Sequence, residues 1–172
     1  LTQFVVGEGY YFGELEKLLA LKNLRGSIRI QVTGKLLGDM ESSEGYMRSM
    51  KHLEVLDIAF SEHGNHEILL EKLEPPSSLK GLILAYYDET NLPRWWGVGI
   101  EDNLAVFLPN LVQIDLGLFL NLLRLPSFSK LLYLKSLNLH WMHKLEYIED
   151  SSYNGNSTDV FFPSLEELYI ND

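Results

Sequence analysis

The sequence predicts an α/β solenoid, in which each of several short repeats contributes one strand to a parallel sheet. Three observations support this fold class. Apolar anchors recur with steps of three, three and two residues, the pattern returns along the whole chain, and helical patterns or turn signals separate its copies. The stretch LPNLVQIDL, with anchors at Leu108, Leu111, Ile114 and Leu116, shows the pattern in its simplest form.

Each copy of the pattern combines a turn with a strand. The last two anchors are two residues apart, so they lie on one face of a strand, and the earlier anchors lie on the turn that enters it. Five copies keep the spacing strictly, whereas LKNLRGSIRI adds one residue. The six first anchors, spaced by 29, 26, 32, 23 and 31 residues, are Leu21, Met50, Pro76, Leu108, Leu131 and Phe162. This periodicity is typical of a leucine-rich repeat horseshoe with a concave parallel sheet and an irregular or short-helical convex side.

Three segments between the strands are predicted to form short convex helices: GELEKLLAL, DMESSEGYMRSM with Asp39 as a candidate N-cap, and NHEILLEKLEPP, which ends at two prolines. The residues expected to pack under these helices are Leu15, Leu18, Leu19, Met40, Met47, Met50, Ile68, Leu69 and Leu73. The polar stretch at 151–159 predicts an exposed loop.

Many leucine-rich repeats carry an Asn three residues past the last anchor, where its side chain satisfies backbone groups. This chain has no Asn at those positions, so the stacking of its coils is expected to be irregular. The residues found there instead are Thr33, Ser61, Tyr87, Phe119 and Met142.

Composition narrows the class of partner. The 172 residues carry 24 acidic and 14 basic side chains, a net charge of −10, and no dense basic cluster. Nucleic acid and anionic membranes are therefore poor partners, and a protein with a basic patch is favoured. The chain has no cysteine, no apolar run long enough to span a bilayer and no signal-peptide pattern, which together favour the cytoplasm.

The order of the copies resembles one protein family. LTQFVVGE, LKNLRGSIRI, MKHLEVLDI, LEKLEPPSSLKGLILAYY with LPRWW, LPNLVQIDL, RLPSFSKLLYLKSLNLHWMHKLEYI and FFPSLEELYI are similar, in this order, to the repeat region of plant intracellular nucleotide-binding leucine-rich-repeat disease resistance proteins of the coiled-coil class. The resemblance covers nearly the whole chain. It departs from the family pattern in lacking a Cys after the strand of IDLGLFL and a Gly-containing turn in RLPSFSKLLYL.

The resemblance implies a non-catalytic module of plant defence and innate immunity. Such regions recognise pathogen effectors or modified host proteins, and they fold back on the receptor's own nucleotide-binding domain to restrain it. Residues 1–172 are expected to be a fragment of about six irregular repeats, and they contain no phosphate-binding loop or nucleotide-binding domain. No cofactor site is predicted in this chain. The alternatives are a leucine-rich repeat substrate adaptor for ubiquitination and a degenerate receptor fragment.

The predicted binding surface is the concave face, formed by the strand residues that alternate with the inward anchors. It mixes acidic, small and aromatic side chains, a composition that suits protein recognition. Aromatic residues just beyond the strands, Tyr86, Tyr87, Phe119 and Trp141, either extend this face or pack inside the coil. The predicted partner-binding residues are Arg29, Asp57, Asp115, Asn138, His140, Trp141, Glu167 and Tyr169.

Three other patterns are interpreted structurally. His63 and His66 have metal-ligand spacing, but their segment is more typical of a solvated loop. Trp95 and Trp96 precede two acidic residues, as in a sugar platform, yet the family resemblance implies that LPRWW is a buried turn with at least one Trp in the core. The glycosylation sequon at 156–158 is interpreted as accidental because the chain lacks a secretory signal.

Overall fold

A single parallel sheet of seven strands organises the chain in the computed structural model, and the strands lie in the order in which the repeats occur in the sequence. The strands of this main sheet are β1 (Thr2–Val6), β2 (Gly26–Val32), β3 (Leu53–Phe60), β4 (Gly81–Ala85), β5 (Gln113–Gly117), β7 (Ser136–His140) and β9 (Glu167–Asn171). Two short strands, β6 (Arg124–Leu125) and β8 (Tyr147–Ile148), pair separately. The structure describes residues 2–7, 11–34, 45–61, 66–97, 104–148 and 162–171.

The inward anchors line up across the main sheet as the spacing predicts. In parallel register, one row joins Ile28, Leu56, Leu82, Ile114, Leu137 and Leu168. The first five are at most 1% exposed, because each is covered by the residues of its own coil and its neighbours. Leu168, on the edge strand β9, is 57% exposed. The repeat interpretation of the sequence is therefore confirmed.

A tight turn explains the step of three between the first two anchors. In each coil the N–H of the second anchor donates to the carbonyl of the first, an i to i+3 bond that fixes the reversal before the strand. These bonds are Leu24 to Leu21, Leu53 to Met50, Leu79 to Pro76, Leu111 to Leu108, Leu134 to Leu131 and Leu165 to Phe162, with N···O distances of 2.8 to 3.5 Å. The anchors are therefore both turn formers and core residues.

The convex side carries two α-helices among the described residues, α1 (Tyr11–Leu19) and α2 (His66–Lys72). Leu15 and Leu18 of α1 are fully buried, but Leu19 is 40% exposed, so its predicted burial is wrong. In α2 the buried stripe is formed by Leu69, Leu70 and Leu73. Ile68, predicted to share that stripe, is 48% exposed, because it projects from the opposite side of the helix.

The remaining convex segments differ from the expected helices. Met47 and Met50 are buried as expected, but residues 46–49 form a turn, and Asp39 and Met40 lie outside the described residues. Short 3-10 helices at Arg94–Trp96 and Leu104–Val106, together with the β6–β8 pair, cover the later coils. Trp95 and Trp96 are both buried, which confirms the structural interpretation of LPRWW. The segments 151–159 and 156–158 also lie outside the described residues.

Neighbouring coils are joined by side-chain bonds to the backbone where an Asn ladder is missing. Thr33 and Ser61 donate to the carbonyls of Val6 and Val32, each one coil back, at 3.2 and 2.8 Å. Further along, Tyr87 and Phe119 occupy the same position and are fully buried. Their rings lie 5.3 Å apart, and Phe60 lies 5.9 Å from Tyr87. At this position of the repeat, aromatic packing between coils thus replaces the side-chain hydrogen bond in the later coils.

Candidate functional site

Side chains on the concave face form rows that cross the main sheet, because parallel strands in fixed register align equivalent positions. From β2 to β9, the middle row consists of Arg29, Asp57, Ile83, Asp115, Asn138 and Tyr169. It therefore contains five of the eight partner-binding residues predicted from the sequence. The other three predicted residues, His140, Trp141 and Glu167, lie in or beside β7 and β9.

At the β2–β3 end of the row, Arg29 and Asp57 form an ion pair. Arg29 contacts one carboxylate oxygen of Asp57 through Nε at 2.7 Å and Nη2 at 2.6 Å. The Asp57 side chain is only 7% exposed, whereas that of Arg29 is 49% exposed. Asp57 lies on the concave face as predicted, but the Arg29 guanidinium covers its carboxylate and neutralises its charge.

At the other end of the sheet, the remaining six predicted residues line one open hollow of about 680 Å³. Its volume lies within the range of pockets that take small ligands or projecting side chains. The lining residues, drawn from β5, β7, β9 and the residues beside them, are Asp115, Asn138, His140, Trp141, Glu166, Glu167, Leu168, Tyr169 and Asn171. The hollow is the candidate site and is called the β5–β9 hollow below.

Asp115 lies on the floor of the β5–β9 hollow and has only long polar contacts. Its Oδ1 is 3.3 Å from His140 Nε2, and its Oδ2 accepts a hydrogen bond from Asn138 Nδ2 at 3.4 Å. The Asp115 side chain is 31% exposed. Because both contacts are at the long end for hydrogen bonds, the carboxylate retains capacity to accept stronger ones.

Aromatic rings line one side of the β5–β9 hollow. The His140 ring centroid lies 5.1 Å from that of Tyr169 and 6.1 Å from that of Trp141, with interplanar angles of 45° and 43°. Tyr169 is 48% exposed and Trp141 is 47% exposed, so both present faces to solvent. Exposed aromatic rings beside a carboxylate are typical of recognition surfaces.

Trp141 has a left-handed backbone conformation, which places its side chain at the rim of the β5–β9 hollow. Trp141 follows β7 with φ of +50°, and its N–H donates to the Asn171 carbonyl at 2.7 Å. Tyr86 after β4 and Leu118 after β5 repeat this arrangement, with φ of +62° and +58°. The turn makes the first residue after each strand point outward and the second point inward. It therefore explains why Tyr86 and Trp141 are exposed, whereas Tyr87 and Phe119 are buried and add nothing to the concave face.

Glu166 was not among the predicted site residues. It precedes β9, lines the β5–β9 hollow and accepts a hydrogen bond from Lys135 Nζ at 2.7 Å. Alternation along the strand identifies Glu167 but not Glu166, because Glu166 belongs to the turn that enters the strand. A charged residue directly before a strand recurs in the sequence, as Lys80, Lys135 and Glu166, and this recurrence could have identified Glu166.

A second hollow, of about 370 Å³, lies where the strands begin. Its lining residues are Ser78, Lys80, Asn110, Val112, Tyr133, Lys135 and Ser164. Both lysines form ion pairs, Lys80 with Glu54 at 2.8 Å and Lys135 with Glu166 at 2.7 Å. The hydrogen bond from Lys80 holds the pKa of Glu54 below its ordinary value. This hollow therefore offers little unneutralised charge to a ligand.

His66 is not in a solvated loop, contrary to the sequence interpretation. It is 3% exposed, stacks on Phe60 with ring centroids 4.1 Å apart, and has Nδ1 2.8 Å from Asp88 Oδ1. Glu89 Oε1 accepts the His66 backbone N–H at 2.9 Å. Ligand-type atoms of His66, Asp88 and Glu89 lie within 4.8 Å of one another, but these contacts already fix the start of α2. His63 lies outside the described residues.

Comparison with known proteins gives the family. The family described as R13L1/DRL21 LRRs matches residues 15–142. The chain is 34% identical over 184 aligned positions to "Disease resistance protein RGA2" and 33% identical over 178 to "Putative disease resistance protein RGA1", both from Solanum bulbocastanum. Both alignments cover 100% of this chain but only 18% and 16% of those proteins.

No solved structure matches the chain. Among the described residues, no helix is long and apolar enough to cross a membrane. The family match covers most of the six repeats seen in the structure. Similarity over the whole of this chain to part of two disease resistance proteins agrees with the resemblance drawn from the sequence. The chain belongs to the R13L1/DRL21 family of leucine-rich repeats.

Proposed function

We propose that this chain is a non-catalytic protein-recognition module of a cytoplasmic plant immune receptor, and that the β5–β9 hollow is its contact surface. The observation that carries the proposal is the grouping of Asp115, His140, Trp141 and Tyr169 in one hollow on a repeat domain whose relatives are disease resistance proteins. Exposed aromatic residues surrounded by polar groups are the anchors that dominate protein interfaces.

The module senses a pathogen effector or a modified host protein, and in the resting state it restrains the receptor's nucleotide-binding domain. These two tasks are coupled by linkage. A ligand that binds the released state more tightly than the restrained state shifts the population toward signalling, by no more than its difference in affinity. No nucleic acid or membrane contact is part of the proposal, since the described residues that line the β5–β9 hollow include three carboxylates and neither Lys nor Arg.

The test compares Trp141→Ala with Tyr86→Ala in the full-length receptor. The two residues are a matched pair: each follows a strand, each has positive φ, and they are 47% and 56% exposed. Only Trp141 lines the β5–β9 hollow. Trp141→Ala is expected to change either the response to the recognised pathogen or the resting activity, whereas Tyr86→Ala leaves both unchanged. Cell-death and reporter assays in leaf tissue measure both; identical behaviour of the two variants and the wild type would refute the proposed surface.

A further inference from the structure

We propose that the β5–β9 hollow receives an arginine side chain carried by a protein partner. This inference rests on the proposed function, because it specifies the chemistry of the partner that the module recognises. It follows from three properties of the hollow: its unneutralised negative charge, its aromatic side and the contrast between two aspartates in the same row of the sheet.

Within the part of the chain that the structure describes, the lining of the β5–β9 hollow includes three carboxylates and neither Lys nor Arg. Lys135 neutralises Glu166 by a bond at 2.7 Å. The bonds that Asp115 and Glu167 accept from side-chain amide and hydroxyl donors are at 3.4 Å: Asn138 Nδ2 to Asp115 and Ser136 Oγ to Glu167. The hollow therefore attracts a cation and repels an anion.

The middle row of the concave face contains two aspartates that can be compared directly. Asp57 and Asp115 are equivalent in register, two strands apart. Asp57 is faced by Arg29 from the preceding strand, and the pair is closed at 2.6 to 2.7 Å. Asp115 is flanked in the same row by Ile83 and Asn138, neither of which carries a charge. The chain thus supplies an arginine to one aspartate, whereas the equivalent place beside the other holds the uncharged Ile83, and the polar contacts of Asp115 with His140 and Asn138 are longer, at 3.3 and 3.4 Å.

Arginine fits the remaining lining better than lysine. The guanidinium is planar, stacks on aromatic faces and presents several donors at once, whereas the ammonium of lysine is compact and strongly hydrated. The His140 ring lies beside the Asp115 carboxylate, and its centroid is 5.1 Å from that of Tyr169 and 6.1 Å from that of Trp141, with the rings tilted in both pairs.

Trp141 provides a direct readout of occupancy. The chain has three tryptophans, and Trp95 and Trp96 are at most 1% exposed, so their indole N–H signals serve as internal references. The experiment titrates the labelled chain with N-acetyl-arginine amide and follows the Trp141 indole signal by NMR. The matched probes are N-acetyl-lysine amide and N-acetyl-citrulline amide, the latter having almost the shape of arginine without its charge.

The arginine probe is expected to move the Trp141 signal with a Kd on the order of 1 mM, as befits one side chain in an open hollow. The lysine probe should bind roughly fivefold more weakly, which corresponds to about 1 kcal/mol, and citrulline should produce no saturable shift. Equal shifts with arginine and citrulline would mean that the hollow selects shape rather than charge. No shift with arginine would likewise overturn the inference.

Asp115→Asn tests the assigned carboxylate, with Glu146→Gln as a control that makes the same change in net charge at an exposed position outside the lining. Asp115→Asn should reduce arginine binding to the level of citrulline, and Glu146→Gln should not. Unchanged arginine selectivity in Asp115→Asn would refute the inference. An altered receptor response in Trp141→Ala without arginine selectivity would refute the inference alone, and arginine selectivity with unchanged receptor behaviour would refute the proposed function alone.

Discussion

At the scale of single residues, the stability of the fold depends on whether an anchor has a coil on both sides. Leu137 and Leu168 are neighbours in the same inward row of the sheet. Leu137 is 1% exposed and Leu168 is 57% exposed, so the same residue type occupies equivalent positions with very different burial. Comparing the two leucines therefore isolates the contribution of burial to stability, since the residue type is the same.

Leu137→Ala is expected to lower the free energy of unfolding by about 2–5 kcal/mol, because it removes buried methyl groups and leaves a cavity. Leu168→Ala should cost less than about 1 kcal/mol, since more than half of that side chain already contacts solvent. Urea denaturation followed by far-UV circular dichroism measures both values. A small loss for Leu137→Ala, comparable with that of Leu168→Ala, would mean that the inward row is not the core.

Among the individual site residues, Asp57 is one whose exposure could not be predicted from the sequence alone. Alternation along β3 correctly predicts that Asp57 faces outward, but exposure depends on what lies across from it. Here Arg29 is brought alongside by the β2–β3 register, which contains a shift at Gly26 and Ser27. The pattern of anchors gives that register, but it does not give the contact that the two side chains make across it. Asp115, Asn138, His140 and Tyr169 lie in the strands and register that the pattern predicts, and their role in binding stays a prediction.

At the scale of elements, strands are more predictable than helices in this chain. The main-sheet strands that follow the anchor pattern are specified by a turn of fixed length and a period of two, so their phase is unambiguous. The helices offer adjacent apolar residues, such as Ile68, Leu69 and Leu70, and periodicity alone does not decide which of them faces the core. The β6–β8 pair was missed because two-residue strands carry no periodic signal.

Tyr87, which packs between Phe60 and Phe119, makes the stability of the fold depend on pH. Burial, followed by the nearby carboxylates of Glu67, Glu89, Asp88 and Glu71, raises the pKa of Tyr87 far above its ordinary value. Tyr87 Oη also donates a hydrogen bond to the Asn91 carbonyl. The folded state therefore keeps Tyr87 protonated at a pH at which the unfolded chain has lost that proton.

The sign of the effect follows from linkage. Because the folded pKa is raised, the stabilisation from neutral Tyr87 is fully present below pH about 10 and declines above it by about 1.4 kcal/mol per pH unit. Tyr87→Phe should cost about 1 kcal/mol at neutral pH through loss of the hydrogen bond, and it should flatten the alkaline decline. Tyr86→Phe, at a 56% exposed position, should change neither. Unfolding curves across alkaline pH test this, and an unchanged slope in Tyr87→Phe would contradict it.

At the scale of the whole molecule, charge and repeat geometry act together. The net charge of −10 favours basic partners in general, but the structure places acidic side chains unevenly along the concave face. Arg29 neutralises Asp57 at the β2–β3 end, whereas the β5–β9 hollow retains Asp115 and Glu167. The repeat solenoid with its parallel sheet could be predicted from the sequence. The asymmetry could not, because it depends on which charges pair across strands.

Electrostatic steering distinguishes this local charge from the net charge. A short peptide of alternating arginine and glycine should associate with the wild-type chain at a rate that falls with added salt. Asp115→Lys should slow association and flatten that salt dependence, because it reverses charge inside the hollow. Glu16→Lys makes the same change in net charge at an exposed position on α1, beside β1 at the opposite edge of the sheet, and should have a much smaller effect. Stopped-flow fluorescence of Trp141 measures the rates. If both variants flatten the salt dependence equally, the peptide responds to net charge alone and the β5–β9 hollow does not guide the encounter.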